Sequence, residues 1–144
     1  MIKNGNPKEK KTVSLFSPLT LAYIGDSVFD LIVKEHLLHD ENIPNGSLHK
    51  RAKKFVSAVG QSMAVEYILP LLSEEETAIY KRGRNCEVNP NKNSDIMEYH
   101  RATGLEALIG YLYLTGQCDR LEEIVFVIFE NLGDEKVESE KSSC

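Results

Sequence analysis

Between Ser17 and His39 the chain reads SPLTLAYIGDSVFDLIVKEHLLH, with apolar residues at 19, 21–24, 28, 29, 31–33, 37 and 38. Ser17-Pro18 is a helix start, a capping hydroxyl followed by proline at the first helical position. At about 100° per residue the apolar positions run nearly all round this helix. It is therefore expected to be buried on more than one side. A small domain offers few such places, and an interface with a second copy of the chain is one of them. The 144 residues, 42% hydrophobic, suit one domain that buries a core without disulfide or metal staples.

The other periodic segments are helical too. Asn45-Gly46-Ser47 opens a second helix with Leu48, Ala52, Phe55, Val56 and Val59 as its inner stripe, and Gly60 is expected to break it. A third helix is expected over about 61–69, ending at Pro70. Ser73 with Glu76 fits a capping box for a fourth helix that ends in Lys81-Arg82-Gly83-Arg84. Residues 85–94, NCEVNPNKNS, read as the longest loop. Asp95 with Glu98 fits another capping box, opening a helix over about 96–114 that stops at Gly116. A last helix over about 119–132 has its stripe at Leu121, Ile124, Val125, Ile128 and Leu132, with Gly133 as C-cap. No stretch alternates as a strand does, so the expected fold is all-α with about six helices. Residues 1–12 and 134–144 are polar and read as flexible tails around one domain at 13–133.

Several function classes drop out early. Cys86, Cys118 and Cys144 are odd in number and form no CxxC, which speaks against a disulfide framework or a zinc site. No run is apolar enough to span a membrane, and MIKNGNPKEKK lacks a signal peptide's apolar core, so a cytoplasmic protein is expected. The net charge of −5 argues against a purely electrostatic nucleic-acid binder. Bases do cluster locally, in Lys50, Arg51, Lys53 and Lys54 and again in Lys81, Arg82 and Arg84. His36, His39, His49 and His100 have no ligand spacing with one another.

Most acids lie at caps, on polar faces or in tails, but two do not. Asp26 falls within LAYIGDSVFDLIV, close to the apolar stripe, and Glu106 within ATGLEALIGYLYL. A buried carboxylate must be paired, protonated or bound to a metal. Each has a glycine nearby, Gly25 and Gly104, with Gly110 a third. A half-exposed acid, or one salt-bridged to a neighbouring base, stays open as the plainer alternative, as do close-packing glycines.

LAYIGDSVFDLIVKEHL resembles the signature helix of the ribonuclease III family, in which a Leu-Gly-Asp-Ala/Ser segment carries a catalytic aspartate. ATGLEALIGYLYLTG resembles that family's second motif, whose glutamate precedes Ala-Leu-Ile-Gly. GSLHKRAKKFVSAVGQSMA looks like the intervening helices. IYKRGRN and the ATG before the glutamate resemble, more narrowly, the Mini-ribonuclease III subfamily, a catalytic domain without a double-stranded-RNA-binding domain. The resemblance covers about residues 15–132.

It implies that Asp26 and Glu106 are catalytic and hold Mg²⁺, for which Mn²⁺ can substitute. Ala22 and Thr103 stand where the larger enzymes of the family have further acids, which leaves two carboxylates per site. Such a site is expected to hold its ion weakly until RNA supplies oxygens. Thr103 is expected to orient a ligand or water, or else to bond its own helix backbone. Further implications are a homodimer, cleavage of double-stranded RNA to 5′-phosphate ends, and a role in maturing 23S ribosomal RNA precursor, with ribosomal proteins as possible neighbours. The two basic runs, with Asn85 and Asn89, then read as phosphate-contacting rather than merely solvated. Two rivals remain: a non-catalytic RNA- or ribosome-associated helical dimer, and a helical protein-interaction module.

Overall fold

The computed structural model describes residues 2–38, 44–86 and 95–133. Seven α-helices occur among them: α1 (Lys10–Val13), α2 (Pro18–Leu38), α3 (Asn45–Val56), α4 (Ala58–Ile68), α5 (Glu74–Arg84), α6 (Ile96–Leu114) and α7 (Cys118–Leu132). A single 3₁₀ turn, Leu69–Leu71, carries Pro70 after α4. The all-helical class expected from periodicity holds across the described residues. The rest of the 85–94 loop beyond Cys86, including Asn89, lies outside them, as do His39 and the 134–144 tail.

The caps explain where the helices begin. Ser17 Oγ accepts from the Thr20 amide at 3.2 Å, fixing the start of α2. Ser73 and Glu76 form the reciprocal capping box at α5, with bonds of 2.9 and 3.1 Å. Asp95 accepts from the amides of Met97 and Glu98 at α6. Gly116 ends the α6 corner at φ 73°, a left-handed conformation that suits glycine.

Helix α6 is the axis of the fold. Ala102 to Leu112 along it are buried except Glu106, which is half-buried. Helices α2, α4, α5 and α7 pack around it. Where α2 crosses α6, a Cβ on Gly25 would collide with the Glu106 carbonyl oxygen, and one on Gly110 with the Leu21 carbonyl oxygen. The two backbones touch with no side chain between them. At the α5–α7 corner, Glu76, 6% exposed, makes two 2.9 Å bonds with Arg120. Arg120 also donates to the Leu71 carbonyl, and its guanidinium holds the Glu76 carboxyl below its ordinary value.

The sequence reading needs correcting in several places. Helix α3 ends at Ser57, not at Gly60. Ser57 caps α4 by accepting from the Gly60 amide at 3.1 Å, and Gly60 lies inside α4, where any Cβ would strike the Lys54 carbonyl. Glycine serves close approach there, not termination. Val59, expected on the inner stripe of α3, consequently sits on α4 and is 52% exposed.

The N-terminal segment, expected to be flexible, is tied to the α6–α7 corner instead. Asn4 Nδ2 donates to the Tyr113 carbonyl at 2.9 Å, Lys8 N donates to the Leu114 carbonyl at 2.8 Å, and Ile2 packs on the core. Backbone hydrogen bonds of this kind are invisible to composition.

The longest apolar helix also behaves differently from its pattern. One face of α2, from Leu21 to Val33, is buried. Leu19, Tyr23, Leu31 and Leu38 remain 46%, 74%, 49% and 62% exposed in the single chain. No described helix is long and apolar enough to cross a membrane.

Candidate active site

The glycine crossing sets the site. Asp26 follows Gly25 on α2, and Gly25 lies against the backbone of Glu106 on α6. The two carboxyl groups are therefore near enough for the Asp26 carboxylate to disfavour ionisation of Glu106. Their environments differ. Glu106 is half-buried between helices, whereas Asp26 is exposed. Exposure of Asp26 corrects the expectation of burial, because the buried arc of α2 stops at Ala22, Phe29 and Val33 and Asp26 stands at its edge.

Burial, and then the facing Asp26 carboxylate, push the Glu106 carboxyl from 4.5 up to about 8, while the Gln61 amide works in the opposite direction. Among the described residues no Lys, Arg or His lies within ion-pair distance of either acid; the ion pairs found there join Lys10 to Glu75, Lys34 to Asp30, Arg101 to Glu66, and Arg120 to Glu76 and Glu123. The alternative of an acid neutralised by a neighbouring base is thus not what this pair shows.

The arrangement fits a divalent cation. Two carboxylates face each other without a counter-charge, and a hard cation is attracted by the charge density that disfavours ionising Glu106. Gln61 contributes a second sign: its side chain is 1% exposed and its Oε1 has no hydrogen-bond partner. Among the described residues no group of three or more His, Cys, Asp or Glu forms, so an ion at this pair would find two carboxyl groups there and no third acidic, Cys or His ligand.

A pH dependence follows in the metal-free protein. Between about 4.5 and about 8 the folded state holds a proton on Glu106 that the unfolded chain has released. Stability is therefore fully present below the lower value and falls as pH rises through the upper one. Thermal melts in chelator should show the midpoint falling across that window. Glu106→Gln should flatten this component, and a curve unchanged by that substitution would remove the effect from Glu106.

The other expected site residues are distributed as follows. Thr103 is buried, and its hydroxyl donates to the Tyr99 carbonyl at 3.0 Å, the plainer of its two roles. Lys50, Arg51, Lys53 and Lys54 are exposed on α3, and Lys81 is exposed on α5. Arg82 is already employed: its guanidinium donates to the carbonyls of Ser14 at 2.9 Å and Phe16 at 3.1 Å, holding the α1–α2 connection. Arg84 is half-buried, lies over the Tyr80 ring at 5.8 Å and bonds the exposed Asn85 side chain at 3.1 Å. The second basic run is therefore partly structural. Gln61 was missed by sequence reasoning. Its signal was a single amide in the stripe it shares with Ala64, Val65 and Ile68, where an apolar residue would otherwise stand.

Comparison with known proteins bears on the family and the fold. The family model described as the ribonuclease III domain matches residues 19–117. A protein of Thermoanaerobacter sp. named Mini-ribonuclease 3 is 42% identical over 125 residues, covering 86% of this chain and 88% of its own. A Clostridium tetani protein of the same name is 38% identical over 138 residues, covering 94% and 91%. Among solved structures, a Fusobacterium nucleatum protein superposes with a TM-score of 0.75 at 30% identity, over 85% of this chain and 98% of that one.

Proposed function

Since the chain belongs to the ribonuclease III family, we propose that it is a divalent-metal-dependent endoribonuclease that cuts double-stranded RNA. The observation that carries this reading is the Asp26–Glu106 pair, two facing carboxylates without a basic partner among the described residues, at a backbone-defined crossing. Asp26 and Glu106 would hold the ion, Mg²⁺ or in its place Mn²⁺. When bound, such an ion lowers the pKa of water and stabilises charge on a phosphoryl group. The chain's own part is to hold both carboxylates at fixed separation, one open to solvent and substrate, the other shielded. The products are assigned 5′-phosphate and 3′-hydroxyl ends. As substrate we propose 23S ribosomal RNA precursor, met in the cytoplasm with bound ribosomal proteins as neighbours.

The enzyme is proposed to be a two-fold homodimer. At about 100° per residue, Leu19, Tyr23 and Asp26 fall on one side of α2. A second copy laid on the exposed Leu19 and Tyr23 would cover that apolar surface and bring both carboxylate pairs to one groove, one site for each RNA strand. Sedimentation at micromolar concentration should give twice the 16.2 kDa chain mass. Cleavage of a plain RNA duplex in Mg²⁺, abolished by chelation, tests the activity. A folded protein that leaves the duplex intact at saturating Mg²⁺ would favour the non-catalytic RNA-associated dimer.

Duplex RNA is bound mainly through its phosphates, and Lys50, Arg51, Lys53 and Lys54 form a run of four exposed bases suited to it. Replacing all four by Gln should weaken RNA binding and lower its salt slope, with little change in stability. Retained affinity and slope would transfer that role to Lys81 and Arg84. Thr103 and Asn85 are the two remaining candidates, Thr103 for orienting a site group and Asn85 for contacting the RNA backbone.

A further inference from the structure

Gln61 is the buried polar group that the proposed chemistry has not used. It lies on the first turn of α4, with 1% of its surface exposed, between the α3–α4 break and the carboxylate pair. Its Nε2 donates to the Val56 carbonyl at 3.2 Å, which fixes which end of the amide is nitrogen. The same side chain favours the charged form of the Glu106 carboxyl on the neighbouring α6. An amide nitrogen has two hydrogens, so it can serve the Val56 carbonyl and still offer one to that carboxylate. The Oε1 is left over, buried and without a partner.

A buried, unsatisfied carbonyl is costly, and in a native core it points to a missing partner. Beside the Val56 carbonyl, the polar group this side chain influences is the Glu106 carboxyl of the acid pair. Divalent ions of the Mg²⁺ kind keep several waters when held by one or two carboxylates, and those waters need acceptors. We propose that Gln61 is a positioning residue: Nε2 holds the Glu106 carboxylate in its ligating orientation, and Oε1 accepts from a water of the bound ion. This rests on the reading of Asp26 and Glu106 as metal ligands. Support of this kind is typically worth about 10- to 100-fold in metal affinity or activity. The bond to Val56 also anchors the site to the elbow at Ser57, so the amide, unlike a surface side chain, has little freedom to swing away.

The test is a titration of the full-length protein with Mg²⁺ or Mn²⁺, read by calorimetry and by the rise in thermal midpoint, alongside cleavage of an RNA duplex. Gln61→Leu removes donor and acceptor at similar size. It should raise the half-saturating metal concentration by about tenfold, shrink the metal-induced rise in midpoint, and recover most of its turnover at saturating metal. Gln61→Glu keeps an acceptor but loses the Nε2 donor and adds a negative charge beside the pair, so it should shift half-saturation away from wild type and make the metal-free protein less stable. If Gln61→Leu does not fold, Gln61→Glu decides alone, and an unchanged half-saturation there overturns the proposal. So does a folded Gln61→Leu with wild-type metal dependence. Asp26→Asn separates the two levels. If Asp26→Asn abolishes the metal response and Gln61→Leu does not alter it, only the role of Gln61 fails. If Asp26→Asn leaves the response intact, the metal site itself is misassigned.

Discussion

Asp26→Asn and Glu106→Gln should each reduce RNA cleavage by well over about a hundredfold, the upper range for residues that merely support a ligand, with the fold intact. Each substitution is nearly isosteric and takes away one of the two carboxylates proposed to hold the ion. The effect on stability should have the opposite sign. Glu106 faces another carboxylate in a half-buried position and is pushed up to about 8. A neutral amide there removes both the repulsion and the cost of burying charge. Above that value the metal-free Glu106→Gln protein should melt higher than wild type, a trade of stability against activity typical of functional sites. Turnover near wild type in a folded Asp26→Asn protein at modest Mg²⁺ would sink the assignment. A variant that loses both activity and stability would instead mark the acids as structural.

The second large effect should come from a residue with no side chain. Gly110→Ala places a methyl group against the Leu21 carbonyl oxygen, which belongs to the backbone and cannot rotate aside. Helices α2 and α6 must separate, at a cost expected to reach about 3 kcal/mol or more, the upper range for overpacking. Activity should fall further than stability alone accounts for, because the same movement parts Asp26 from Glu106. Denaturation gives the first quantity, and cleavage measured well below the melting temperature gives the second. If Gly110→Ala folds with wild-type stability, the crossing is looser than described. Gly83→Ala is a useful comparison: its Cβ would meet the Ala107 Cβ at 2.8 Å and the Gly104 Cα at 2.9 Å, so it strains α5 against α6 without touching α2.

What could be read from the sequence was the local part. Ser17-Pro18, the Ser73–Glu76 box and Asp95 each place a helix start because the capping partner is only two or three residues away. Asp26 and Glu106 stood out locally as acids in apolar helices, but it was the resemblance of their segments to ribonuclease III motifs that made them site candidates. What escaped depends on residues distant in the chain. Arg82 looks like a free base beside Lys81, yet its bonds go to carbonyls 66 and 68 positions away. Gly60 looks like a terminator because glycine usually weakens helices, but here its missing side chain admits the Lys54 carbonyl. The N-terminal segment is polar in composition, and only the carbonyls exposed at the end of α6 give Asn4 and Lys8 something to bind. The exposure of Asp26 is a matter of a few tens of degrees round α2, finer than a pattern of apolar letters resolves.

The crossing of α2 and α6 through Gly25 and Gly110 bears on how such a protein can change over time. The spacing of the two acids is set by main chain against main chain, and main-chain dimensions are the same whatever the surrounding side chains are. Exchanges among the leucines, isoleucines and valines of the core can alter packing and melting temperature without first altering the distance between Asp26 and Glu106. Surface bases and loops can likewise be replaced to suit a different RNA. The spacing of the acids thus depends on two glycines more than on the side chains around them, and a lineage can retune its surface while inheriting that spacing unchanged.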